Sequence, residues 1–207
     1  MNKNAEVQDQ AANAAKAQTD TKAAGLLGLD EDAVKKVAKA VAKDILALHK
    51  DDIPIRIVMS GGAGSGKTTF ARLLSEELGV KNIDLDEYVP GGFTTDKDEY
   101  ARRFNKSLYE VWDSVPPKKG WIIEHIEACN KDLVGLYSPN FAILVDPGLE
   151  RVTAAAKARA DVADEKDPSH RIERGIQSSM KAKKQFEALR APSAGTIHFT
   201  GFTLKSI

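Results

Sequence analysis

The chain has 207 residues, with 30 Lys and Arg balanced by 30 Asp and Glu, so it lacks the charge footprint of a strongly basic nucleic-acid binder, although a local basic patch stays open. Cys129 is the one cysteine, which excludes a disulfide framework or a cysteine-rich zinc site within one chain and fits a reducing, cytoplasmic setting. No apolar run approaches the roughly 18–20 residues of a membrane span, and the N-terminus lacks the apolar core of a secretory signal, so no membrane partner is expected.

Residues 1–25 are rich in Ala, Gln, Asn and Lys and hold few large apolar groups. Such a stretch cannot offset its own ordering entropy, and it reads as a disordered or loosely helical tail. Residues 26–50 form a second unit, an N-terminal helix from Asp30 to His49. Its apolar face comprises Val34, Val37, Ala38, Val41, Ala42, Ile45 and Leu46. Asp30, Glu31 and Asp32 suit the positive end of that helix. Packing outside the main domain and docking to a partner both fit this face.

The third unit, residues 51–207, alternates between two periodicities. Strands are predicted at 53–59, 81–86, 121–124, 141–145 and 196–199. Helices are predicted at 67–78, 96–111, 149–163 and 171–189, with Gly79 stopping the first of them. Val89-Pro90-Gly91-Gly92 reads as a loop, and Pro116-Pro117 and Gly120 break the chain before the third strand. Strands alternating with helices imply an α/β fold with a parallel sheet of about five strands. Ligands of such sheets bind at the carboxyl ends of the strands, where Gly61, Asp84, Glu124 and Asp146 fall.

The first strand runs into Gly61-Gly62-Ala63-Gly64-Ser65-Gly66-Lys67-Thr68. This spacing between a strand and a helix is the full phosphate-loop pattern. Glycines let the backbone approach phosphates closely, and successive amides then form an anion nest at a helix N-terminus. In this pattern Lys67 reaches the β- and γ-phosphates and the Thr68 hydroxyl ligates Mg²⁺. Thr69 is a weaker contact to the α-phosphate, and packing or capping would explain it as well.

Together with Ile83-Asp84-Leu85-Asp86-Glu87-Tyr88, Ile122-Ile123-Glu124 and a later Arg-bearing helical segment, this loop resembles the small P-loop kinases. That superfamily includes nucleoside and nucleotide kinases, uridine kinase, shikimate and gluconate kinases and zeta-toxin-like kinases. The resemblance covers about residues 53–202. It implies the three-layer P-loop kinase fold, here preceded by an extra helix, with ATP and Mg²⁺ as cofactors. Alternation along the second strand would turn Asp84 and Asp86 to one pocket. The resemblance assigns Asp86 as the base for the acceptor hydroxyl and Asp84 to the metal side, and the reverse order stays open. It also gives Glu124 a metal- or substrate-side role, for which a solvated strand end is the plain alternative. Asp146, followed by Pro147, reads equally as a turn residue.

In the resembled kinases a helical lid carries arginines that close over the transferring phosphoryl group. Arg171 and Arg174, three apart on one helix face, are the favoured candidates here, followed by Arg159. A solvated basic face would account for each of them. Lys181, Lys183 and Lys184 read as surface charge or as contacts to a polyanionic acceptor. The acceptor region corresponds to residues 88–112, with Tyr88, Phe93, Tyr100, Phe104, Tyr109 and Trp112 available to stack a base and Arg102-Arg103 to hold a phosphate. Aromatics at helical spacing also serve simply as core. His49, His125, His170 and His198 show no metal-ligand spacing, and Cys129 reads as a buried thiol.

The expectation is an ATP-dependent kinase that phosphorylates a hydroxyl of a nucleoside, a nucleotide or a modified base. One acceptor in that class is 5-hydroxymethyluracil in DNA, the substrate of phage-type kinases built on this superfamily. The nearest rival is a shikimate-like metabolite kinase. It lacks support from the third strand, which reads Ile123-Glu124-His125 where a glycine-rich substrate motif is usual. A P-loop NTPase or ATP-binding module driving a partner is the rival from another class.

Overall fold

Among the described residues of the computed structural model, every strand pairs in parallel, in the order β2-β3-β1-β4-β5. The structure describes residues 31–49, 53–89, 97–114, 120–163, 167–190 and 198–202. The N-terminal tail, the Pro90–Gly92 loop, Phe93 and Pro116-Pro117 lie outside them. The strands are β1 (Arg56–Ser60), β2 (Lys81–Asp84), β3 (Trp121–Glu124), β4 (Phe141–Val145) and β5 (His198–Phe202). The α-helices are α1 (Glu31–Leu48), α2 (Lys67–Leu78), α3 (Lys97–Ser114), α4 (Lys131–Tyr137), α5 (Leu149–Val162) and α6 (Ser169–Arg190).

Both faces of the sheet are covered, so its central strands read as nearly continuous apolar runs. Alternation divides them between two cores. Ile57, Met59, Ile122, Phe141, Ile143 and Val145 pack under α1 and α2 with Phe70 and Leu74. Val58, Trp121, Ile123, Ala142 and Leu144 face the opposite way, toward Phe104 and Leu108 of α3, Leu133 and Tyr137 of α4 and Phe186 of α6. The Tyr137 hydroxyl is buried there and donates to the Leu108 carbonyl at 3.0 Å. Burial pushes its pKa up to about 12.

The first helix shares the core of the sheet. Val34, Ala38, Val41, Ala42 and Ile45 of α1 are buried, and each larger aliphatic contributes about 1.5–3 kcal/mol by leaving water. Leu46, expected on that face, is 54% exposed because the stripe rotates past the contact with α2.

Two local expectations are corrected. The second strand stops at Asp84, and residues Leu85–Tyr88 wind into a 3-10 turn. The Asp84 carboxylate accepts a hydrogen bond from the Asp86 amide at 2.9 Å, capping that turn and ending the strand. The sequence reading also assigned no helix to Lys131–Tyr137. There the Asn130 side chain accepts from the Asp132 amide, so the short helix opens on an ordinary N-cap.

Candidate active site

Register brings the carboxyl ends of three strands together. Met59 of β1 lies level with Glu124 of β3, and Glu124 with Asp84 of β2. Glu124 shares its sheet face with Ile122, on the side covered by α2. The residue that opens α2 is Lys67. The phosphate loop between β1 and α2 turns through Gly64 and Gly66, both at φ +85°, which a side chain rarely tolerates. Its Ser65 amide donates to the Gly62 carbonyl at 3.1 Å, closing the loop.

Lys67 is buried, and its Nζ lies 3.1 Å from Glu124 Oε2, an ion pair with a fully buried carboxylate. Burial alone would lower the Lys67 pKa. The negative charges of Glu124, Asp86 and Asp84 outweigh it, and the net shift is upward. Glu124 Oε1 and Ser65 Oγ are buried with no hydrogen-bond partner among the described residues. Buried polar atoms left in this way suit a ligand that brings its own donors and acceptors.

The sheet, the loop and the helix that follows form a known arrangement. A solved structure of shikimate kinase from Bacteroides thetaiotaomicron is similar to this chain with a TM-score of 0.50 and 17% identity, covering 72% of this chain and 85% of that one. The fold is that of the small P-loop kinases. A gluconokinase from Sinorhizobium meliloti matches at a TM-score of 0.47 and 14% identity, covering 75% of this chain and 85% of its own. No protein-family model matches the sequence, and no curated protein matches it.

Within this P-loop kinase fold, the residues singled out from sequence fall into several groups. Gly61, Gly62, Ala63, Gly64, Ser65, Gly66, Lys67, Thr68 and Thr69 form the loop and the first turn of α2. The Thr68 side chain is exposed and Thr69 half-buried. Asp84 and Glu124 stand next to each other at the strand ends, and Asp86 follows on the 3-10 turn. Mg²⁺ keeps several waters and needs only one or two protein oxygens, so Thr68, Asp84 and Glu124 fit a hydrated ion. No cluster of three or more His, Cys, Asp or Glu that could enclose a metal occurs among the described residues.

Helices α5 and α6, expected from the sequence to carry lid arginines, dock directly on the loop. Ser178 of α6 accepts a hydrogen bond from the Ala63 amide at 2.8 Å. A Cβ added at Gly62 would meet Ser179 Oγ at 1.9 Å and the Ser179 Cα at 2.7 Å, so α6 touches the loop backbone. Arg171, Arg174 and Ser178 recur at helical spacing on one side of α6. Arg171 is half-buried and Arg174 exposed. An Arg159 guanidinium nitrogen of α5 comes within 3.7 Å of the same construction at Gly64, which brings this arginine to the loop. Nothing in the serine pair marked it out in the sequence.

Several acceptor-side candidates are engaged elsewhere. Arg103 forms an ion pair with Glu99 one turn away. Phe104 is buried and stacks on His125, with ring centroids 4.6 Å apart. Lys181 pairs with Glu127, and Lys183 lies 3.6 Å from Asp146. Asp146 accepts from the Gly148 amide at 3.1 Å, the turn-forming role. The side chains of Tyr100, Tyr109 and Trp112 lie outside the described residues. Cys129 is buried, and burial pushes its thiol up to about 12, which keeps it unreactive.

His125 has no metal-ligand spacing in the sequence, which gives it no other role. Its ring is buried, with Nε2 3.3 Å from Asp86 Oδ1. The available signal was its place directly after Glu124, where β3 ends at the site.

Proposed function

We propose that this protein is an ATP- and Mg²⁺-dependent kinase that transfers the γ-phosphoryl group to a hydroxyl of a small-molecule acceptor. The observation that carries this reading is the buried Lys67–Glu124 ion pair beside the glycine-rich loop, with Asp84 level with Glu124 on the neighbouring strand. A pure nucleotide-binding module has no need for a second acidic residue beyond the metal-side carboxylates.

In this reading the loop amides and the α2 N-terminus bind the phosphates. Lys67 turns from Glu124 to the β- and γ-phosphates when nucleotide enters. Thr68, Asp84 and Glu124 would hold a hydrated Mg²⁺, whose charge would neutralise the phosphates. Asp86 accepts the acceptor's hydroxyl proton as the new oxygen–phosphorus bond forms. The bond from the γ-phosphorus to the β–γ bridging oxygen breaks, and that oxygen leaves on ADP. Arg171, Arg174 and Arg159 are the cations proposed to cover the transferring group.

Nucleosides, nucleotides and modified bases, including 5-hydroxymethyluracil in DNA, are the acceptors proposed from sequence. A second reading, a compact hydroxy-acid acceptor, gains from the engagement of Phe104 and Arg103. Those two residues supplied part of the case for stacking a base and holding a phosphate. ATP labelled in its γ-phosphate, offered with nucleosides, nucleotides, hydroxymethylated DNA, shikimate and simple polyols, tests both readings. Label is expected on one of these classes. Label released only as free phosphate would establish an NTPase and end the kinase reading.

A further inference from the structure

The loop after β3 holds the His125 ring tightly. The His125 amide donates to the Met59 carbonyl, and its carbonyl accepts from the Ala128 amide. Ser60 Oγ donates to the neighbouring Ile126 carbonyl at 2.6 Å, tying this loop to the strand that feeds the phosphate loop. The ring stacks on Phe104 with an interplanar angle of 29°. The Glu127 amide donates to Nδ1 at 3.1 Å. A nitrogen that accepts an N–H carries no proton of its own, so the imidazole proton sits on Nε2. Nε2 lies 3.3 Å from Asp86 Oδ1.

We propose that His125 is a positioning residue, whose Nε2–H holds the Asp86 carboxylate in line for the acceptor hydroxyl. This rests on Asp86 being the acceptor-side base. Asp86 sits on a short 3-10 turn, a tighter and less regular element than a strand. A carboxylate on such a turn keeps rotamer freedom unless a fixed donor removes it, and a near-attack geometry tolerates little misplacement. His125 supplies that donor from a ring whose tautomer, plane and backbone are each fixed by a separate contact. It keeps its proton throughout, and the acceptor's proton passes to Asp86 alone.

Two substitutions separate positioning from packing. His125→Phe keeps a ring on Phe104 and loses the donor. His125→Gln keeps an N–H at the reach of Nε2 and loses the ring. For transfer to the acceptor found with labelled ATP, His125→Phe should lower kcat about 100-fold with KM for ATP within about twofold, and His125→Gln should stay within about fivefold of wild type. A purely structural histidine would give the opposite ranking or equal losses, and either result overturns the proposal.

A second measurement needs no acceptor. Ring nitrogen-15 spectra of the wild type should show the proton on Nε2 and none on Nδ1, with the Nε2 proton resonance moved by Asp86→Ala. A proton on Nδ1, or a ring unmoved by Asp86→Ala, overturns the pairing. If wild type phosphorylates no acceptor, the kinase reading fails by itself, and the ring spectra alone decide whether His125 holds Asp86.

Discussion

The proposed phosphate side and the proposed acceptor side of the site are built in opposite ways. The phosphate side is one continuous stretch, residues 61–69, whose shape follows from glycine conformations and a helix start. The acceptor side joins Asp84 at the end of β2, Asp86 on the turn that follows, Phe104 of α3, Glu124 at the end of β3 and residues 125–127 after it, which meet only because the strands pair in register. A local motif carries its chemistry wherever it is placed. A side assembled across strands has chemistry only when the whole sheet is formed. Lys67 belongs to the first side and is held by Glu124 of the second, so it is where the two can be pulled apart.

Breaking that joint has the largest expected effect. Lys67→Met leaves the fully buried Glu124 without its cation, and removing one partner of a buried pair destabilises by about 3–5 kcal/mol. Chemical denaturation should show that loss, with ATP-dependent transfer abolished. Lys67→Met combined with Glu124→Leu should recover most of the stability and none of the activity. If the double variant is no more stable than the single, the pair is not what holds this end of α2.

Asp86→Asn touches the acceptor side alone. Loss of a general base lowers kcat by roughly 10²–10⁴-fold, while ATP affinity measured by calorimetry should stay at the wild-type value. Unchanged transfer would remove Asp86 as base and shift that role to Asp84.

Gly62→Ala probes the phosphate side from the opposite direction. The new methyl would overlap α6, and overpacking of this kind costs about 1–3 kcal/mol. The clash includes the Ser179 backbone, with both N and Cα at 2.7 Å, so trimming the side chain with Ser179→Gly should not restore ATP affinity. Full recovery in the double variant would mean that α6 yields easily and does not brace the loop.

The smallest effect per step lies under the acceptor side, in the core that contains Cys129. Burial raises its folded thiol to about 12 from an ordinary value of 9.0. Between those values the unfolded chain has lost the proton that the folded chain retains. Stability therefore falls as pH rises through this window, by about 1.4 kcal/mol per pH unit from this group. Below pH 9 it contributes no slope. Cys129→Ala should flatten the decline in denaturation measured between pH 9 and 11, and an equal slope would show that Cys129 does not drive it.

The primary structure alone determined the parts that depend on near neighbours. The run from Gly61 to Thr68 carries the pattern of a phosphate cradle because its glycines and its strand-to-helix setting act within one turn of chain. The alternating apolar runs likewise specify a parallel sheet covered on both sides, and α1 shows its buried stripe in its own spacing. Long-range contacts decided the rest. Asp86 left the expected strand because the Asp84 side chain competes for its amide. Phe104 was drawn into a ring stack on His125, and Ser178 found the Ala63 amide 115 residues away. His125 faces Asp86 because β2 and β3 pair in register, a relation between residues far apart in the chain that no local pattern encodes.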